Sequence, residues 1–107
     1  MNKKRTLKLL DPAQEELDAI AVAHYRLVGP ISAMKIIDKI YTSLELLKTH
    51  PHLGFPCKDK QLAKVGYRTL ICGNYLCVYR ILDNTIFVYH IADGRANYPE
   101  LLAGLPS

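Results

Sequence analysis

Between Tyr67 and Ala92 the chain reads YRTLICGNYLCVYRILDNTIFVYHIA: three runs of strand-forming residues separated by Gly73-Asn74 and Asp83-Asn84. Gly, Asn and Asp accept the positive φ that two-residue hairpin turns demand. The flanking Ile, Val, Tyr, Phe and Thr suit a pleated, half-buried surface. The stretch is therefore expected to form a three-stranded antiparallel meander. With Asp83-Asn84 as one tip, Arg80 faces Phe87, Val78 faces Tyr89 and Cys77 faces His90. With Gly73-Asn74 as the other, Tyr67 joins the Arg80 face and Leu70 the Cys77 face. Both faces are largely apolar. One is expected to pack on the rest of the chain, and the other to lack intramolecular cover and await a partner. A one-residue bulge near Gly73 would exchange Tyr67 and Arg68 between faces, so their facing stays open at this stage.

The residues before the meander supply that packing layer. Arg5 to Leu10, with Leu7 and Leu9 on one side, read as a short edge strand. Asp11 is expected to cap a helix, with Pro12 at its first position and Gln14 completing a capping box. Leu17, Ile20, Ala21, His24, Leu27 and Val28 then recur at spacings of three and four, giving one apolar stripe. Gly29-Pro30 ends that helix and opens a second over residues 31–49, whose stripe is Ala33, Ile37, Ile40, Tyr41, Leu44 and Leu47. Ile31, Met34 and Ile36 widen its apolar sector, either as further core or as a groove for a partner helix. His50 to Gly66 reads as irregular, because Pro51 and Pro56 block helix continuation. Its Lys58, Lys60 and Lys64 are a solvated loop or one edge of an anion-binding surface. After the meander, Arg95 lies directly beyond the last strand, and Pro99 favours a short terminal helix carrying Leu101 and Leu102.

A chain of 107 residues suggests one domain with a modest core. No apolar run approaches the roughly 20 residues that cross a bilayer, and the basic start lacks the apolar core of a signal peptide, so a cytoplasmic protein is expected. A net charge of +4 and a pI near 9.0 favour anionic partners. Cys57, Cys72 and Cys77 form no C-x-x-C pair, and the last two lie in strand runs as core thiols. His50 and His52 flank Pro51 without the companions of a zinc site. Neither a metal nor another cofactor is expected.

Several of these pieces occur together in a recognisable order. They are Asp11-Pro12-Ala13 before the first helix, His50-Pro51-His52-Leu53-Gly54-Phe55-Pro56, and Tyr67-Arg68. Gly73-Asn74-Tyr75-Leu76-Cys77-Val78-Tyr79-Arg80 follows, then Asp93-Gly94-Arg95-Ala96-Asn97-Tyr98 and Leu101-Leu102. Their order and spacing resemble the RelE/ParE superfamily of type II toxin–antitoxin toxins over nearly the whole chain. The resemblance implies an α+β domain with a short N-terminal strand, a helical hairpin, a three-stranded antiparallel meander and a short C-terminal helix. It also implies a growth-inhibiting toxin neutralised by a cognate antitoxin, with operator DNA reached only through that antitoxin.

The superfamily holds two activities. RelE-like members cut messenger RNA on the ribosome without a metal, whereas ParE-like members poison DNA gyrase. Here the sheet Arg that RelE-like enzymes place after the Tyr of the meander falls on Leu76, and the terminal His-Tyr pair of another nuclease branch is absent. Tyr79-Arg80 is similar to ParE, although the ParE pattern His-Gly-x-Arg-Asp appears as Asp93-Gly94-Arg95-Ala96-Asn97. The resemblance therefore points to a ParE-like gyrase poison, with a RelE-like nuclease or a degenerate antitoxin-binding member as alternatives. Arg95, Arg80, Arg68 and Tyr98 are the candidate target- or phosphate-contact residues. His90, expected opposite Cys77, reads more readily as a satisfied core histidine.

Overall fold

The computed structural model describes residues 4–94; Arg95, Tyr98 and the expected terminal helix lie outside the described residues. Its order is β1 (Thr6–Leu9), α1 (Asp11–Leu27), α2 (Pro30–Leu46), β2 (Phe55–Pro56), α3 (Lys60–Lys64), β3 (Tyr67–Cys72), β4 (Tyr75–Leu82) and β5 (Thr85–Asp93). The strands make one sheet in the order β1-β5-β4-β3-β2. The meander β3-β4-β5 is antiparallel, and β1 joins β5 in parallel as the expected edge strand. In both hairpin turns the first residue takes the positive φ, 62° at Gly73 and 54° at Asp83.

The helices cover one face of the sheet. Leu17 of α1, Ile40 and Leu44 of α2, and Leu47 just beyond it are buried against Leu70, Cys72, Cys77, Tyr79, Ile86, Val88 and Ile91. Each large aliphatic side chain so buried contributes roughly 1.5–3 kcal/mol. The stripe expected on α1 holds at Leu17, Ile20, Ala21 and His24 but not at its end, where Leu27 and Val28 are exposed. On α2, Ala33, Ile40, Leu44 and Leu47 are buried and Ile37 half-buried, whereas Tyr41 is turned out.

The start of α1 and the end of α2 differ from expectation. Leu10, not Asp11, is the extended residue before α1, and no side chain caps that end. Leu10 still donates its amide to Val88 O of β5, so the sheet ladder runs up to the first helical residue and leaves no room for a separate cap. Gln14 correspondingly reaches forward to Asp18 (3.0 Å) and forms no capping box. Gly29, at φ 137°, occupies the cap position of α2, where Pro30 follows as expected. That helix stops at Leu46 and tightens into turns through His50, since a residue before proline is pushed out of the helical region.

The segment 50–66 is not irregular throughout. Phe55 and Pro56 pair with Thr69 and Arg68 as a fifth strand. Asp59 caps α3 by accepting from the amides of Gln61 (2.9 Å) and Leu62 (3.1 Å). This placement rests on Tyr79, which is fully buried. Its hydroxyl donates to Pro51 O (2.8 Å) and accepts from Gly54 N (3.1 Å). Gly54 itself admits no side chain, because an added Cβ would lie 2.5 Å from Thr69 O and 2.9 Å from the Tyr79 ring.

The β4–β5 register follows the expected pairs from the Asp83-Asn84 tip as far as Tyr79 with Val88, and then shifts. Val78 pairs with His90 and Cys77 with Ile91, leaving Tyr89 as the extra residue of a bulge. Val88 and Ile91 are three apart and would otherwise face opposite sides; the bulge brings both into the core under the helices. No shift occurs near Gly73, so Tyr67 pairs with Arg80 and Arg68 with Tyr79.

The face away from the helices is not bare. Cys57, Tyr67, Val78 and Tyr89 form a second buried cluster there, against which Leu10, Leu62 of α3 and Phe87 pack. Replacing Gly54 with Ala is expected to cost roughly 1–3 kcal/mol through overpacking. Tyr79→Phe should cost about as much by stranding a buried amide and carbonyl. Urea denaturation of the two variants and of the double variant measures both, and the double loss should fall short of the sum because one contact is being broken twice.

Candidate functional site

Arg80 comes from the middle of β4 and points away from the helices, as its cross-strand partners Tyr67 and Phe87 do. Its guanidinium lies over the Tyr67 ring at 4.6 Å and the Tyr89 ring at 5.5 Å, and donates to the Tyr89 hydroxyl at 3.0 Å. The two rings meet edge to face, 5.0 Å apart. Gly66, entering β3 with φ 97°, lies alongside the aliphatic stem of Arg80. Among the described residues the buried Nε of Arg80 has no hydrogen-bond partner, as is also true of Arg5 and Arg68. The arrangement fixes a permanent positive charge on an aromatic platform. It suits binding a carboxylate or phosphate through the fork of the guanidinium. Tyr67 is held above its ordinary pKa of 10.0, first by burial and then by Tyr89, with Arg80 partly opposing the rise. It is thus a neutral hydrogen-bonding group at physiological pH.

Arg68 does not join this site. Neighbouring residues of a strand point to opposite faces, so Arg68, next to Tyr67, turns to the other side. There it donates to Gly54 O (2.6 Å) and His52 O (3.3 Å) and holds the loop that Tyr79 also pins. Its role in the described residues is to position that loop. Lys58, Lys60 and Lys64 are exposed on and beside α3. Lys60 and Lys64 are one helical turn apart, on a helix that Leu62 seats on the Tyr67–Tyr89 cluster.

His90 stands opposite Val78 rather than Cys77, because of the bulge at Tyr89. It is satisfied, as a structural histidine would be, by a carboxylate: its Nδ1 lies 3.1 Å from Glu16 Oε1, which also accepts the Ile91 amide at 3.0 Å. That carboxylate thus serves the rim of β5 beyond the end of β1. Among the described residues no group of three or more His, Cys, Asp or Glu stands together in a position to hold a metal ion. No helix among them is long and apolar enough to cross a membrane.

A second feature lay hidden in the apolar stripe of α1. His24 bridges Ser32 of α2 (Nδ1 to Oγ, 3.3 Å) and Tyr75 of β4 (Nε2 to Oη, 2.9 Å). It borders a cleft of about 610 Å³ at the tip of the helical hairpin, lined also by Val28, Ile31, Ser32, Lys35 and Lys39. Around it Leu27, Val28, Ile31 and Met34 are 66–84% exposed. A histidine spaced as a stripe member was the available signal, but its partner Tyr75 is 51 residues away and no local pattern announces the pair.

A helical hairpin on an antiparallel meander, with a parallel first strand at the edge and a cation set among tyrosines, makes a small α+β fold. The family model for the ParE toxin of the type II toxin–antitoxin system parDE matches residues 7–98, and the chain belongs to that family as a toxin component with a cognate antitoxin partner. Among solved structures, a chain of the chromosomal ParDE toxin–antitoxin system from P. aeruginosa superposes with a TM-score of 0.72 at 24% identity, covering 85% of this chain and 97% of that one. A chain of the RelBE2 toxin–antitoxin complex from Mycobacterium tuberculosis superposes with a TM-score of 0.58 at 19% identity, covering 84% and 98%. No curated protein sequence gave a significant match.

The tyrosine–arginine stack has a measurable signature. Tyr67 is expected to ionise later than ordinary tyrosine when absorbance near 295 nm is followed through alkaline pH, and Arg80→Gln should delay it further by removing the nearby cation. Because its folded pKa is raised, Tyr67 stabilises the fold fully below pH 10.0, and that contribution is lost as pH climbs through the folded value. Denaturation midpoints across that alkaline window should therefore fall more steeply for the wild type than for Tyr67→Phe.

Proposed function

We propose that the protein arrests growth in the cytoplasm as a ParE-like inhibitor of DNA gyrase, restrained by its antitoxin, with operator DNA engaged only through that antitoxin. The observation that carries this reading is the separation of the two sheet arginines. A ribonuclease must gather a base, an acid and cations around one phosphate. Here Arg68 is committed to loop carbonyls on one face while Arg80 lies on the other. The groups beside Arg80 are phenols, and Tyr67 is held in its protonated form. Such a site binds an anionic surface more naturally than it moves protons. The family match supports the ParE-like side of this reading.

The antitoxin is proposed to dock an acidic amphipathic segment at the tip of the helical hairpin. The exposed Leu27, Val28, Ile31 and Met34 beside Lys35 and Lys39 support this placement. Such segments fold on binding and lay an apolar face into a groove.

Inducing the chain alone should halt growth. Purified protein should inhibit gyrase supercoiling, and arrested cells should show DNA double-strand breaks without codon-positioned cuts when messenger RNA is mapped by primer extension. Such cuts with unimpaired supercoiling would establish the nuclease reading instead, and absence of growth arrest would point to a member that only binds antitoxin. Arg95, two residues after β5 in the sequence, and Tyr98 remain proposed contacts together with Arg80. Arg95→Ala and Arg80→Gln should each lower toxicity while leaving the circular-dichroism spectrum unchanged; full toxicity in both soluble variants would remove these residues from the contact surface.

A further inference from the structure

Cys72 and Cys77 stand on β3 and β4, on the face covered by the helices, with their sulfur atoms 3.5 Å apart. They are 1% and 0% exposed. Such a pair can simply fill the core, but it also has the arrangement of a redox couple. We propose that Cys72 and Cys77 form a reversible intrachain dithiol–disulfide pair, with Cys72 as the attacking thiol and Cys77 as the resolving one.

The two thiols are not equivalent. Lys39 of α2 extends over the adjoining turn: a Cβ added to Gly73 would lie 3.2 Å from its Nζ. Ser43, one helical turn further along α2, donates its hydroxyl to Lys39 O (3.0 Å). The Cys72 thiol is lowered from 9.0 to about 7, first by its hydrogen bond with Cys77 and less by Ser43 and Lys39, against the opposing effect of burial. Cys77 is pushed well above 9.0, first by its hydrogen bond with Cys72 and then by burial, so it stays protonated. Cys57 sits apart beside Thr69, where burial pushes its thiol up. The fold therefore holds one thiolate-prone sulfur, a protonated neighbour within reach, and a third thiol of low reactivity.

Hydrogen peroxide is a sufficient oxidant. The Cys72 thiolate attacks one peroxide oxygen, the O–O bond breaks, and the departing hydroxide takes a proton to become water. Cys72 is left as a sulfenic acid. The Cys77 sulfur then attacks the Cys72 sulfur; the S–S bond forms and the sulfenic hydroxyl leaves as water with the Cys77 proton. Two thiols lose two electrons, and one peroxide becomes two waters. Cys72 immediately precedes the exposed Gly73-Asn74 turn, so a local opening of that turn would admit so small an oxidant.

The strand register makes this bond labile. Cys72 pairs with Tyr75 and Cys77 with Leu70, so the thiols are diagonal rather than directly opposed. Bonding requires the sulfurs to close to about 2.05 Å, and diagonal side chains start farther apart than a disulfide prefers. A bond made against that geometry is readily reduced, which suits a transient signal in a thiol-rich compartment.

The test uses the full chain treated with stoichiometric hydrogen peroxide under nitrogen. Intact mass should fall by two hydrogens, fragmentation should place the link between Cys72 and Cys77, and Cys57 should remain open to alkylation after unfolding. Dithiothreitol should restore the starting mass. The initial rate should rise with pH through a midpoint near 7, and Lys39→Met should move that midpoint upward. Cys77→Ser should trap a dimedone-reactive sulfenic acid on Cys72. An unchanged mass, a linkage through Cys57, or oxidation of Cys72 directly to the sulfinic acid in the wild type would each overturn the proposal. The wild-type readouts stand even where a cysteine variant fails to fold.

Discussion

The Tyr79 hydroxyl ties two parts of the molecule that the chain itself keeps far apart. It stands on the central strand of the meander, inside the core, and meets the loop between Pro51 and Gly54 with one bond given and one received. The missing side chain of Gly54 lets that backbone descend onto Thr69 and the tyrosine ring. Because a buried polar group must be paired, the loop has one permitted height and one permitted direction. Phe55 and Pro56 then fall into register with β3, and Leu62 arrives over the face opposite the helices. The motif that carries the family resemblance is thus a joint of the architecture.

That joint divides the two sheet arginines. Adjacent residues on a strand cannot share a face, so once Tyr67 sits opposite Arg80, Arg68 must serve the loop side. Arg80 is left on the aromatic platform with its charge fixed and its nearest phenol neutral. The same pleat sets Cys72 and Cys77 side by side under α2. One strand pair therefore presents a cation on one side and a thiol couple on the other.

The bulge at Tyr89 reconciles two demands on β5. Val88 and Ile91 both have to enter the core, yet strict alternation forbids it. Inserting Tyr89 as an unpaired residue satisfies both and sends its ring to Tyr67, 5.0 Å away, where it completes the seat for Arg80. Hydrophobic packing on one face thus creates the polar feature on the other.

The meander, its two turns and the helical hairpin were legible from the chain alone, because they depend on local chemistry: positive-φ residues between strand formers, and apolar residues at helical spacing. The facing of Tyr67 and Arg68 was left open by the chain, since a bulge near Gly73 would have exchanged them, and the unbroken β3–β4 register decided it. The bulge, the strand at Phe55-Pro56, the covering of the far face by Leu62 and the His24–Tyr75 contact were not legible. Each depends on residues distant in the chain competing for the same space or hydrogen bond. Local pattern supplied the elements and their order. Only the folded core, by leaving room for one side chain and not another, decided which residues share a surface.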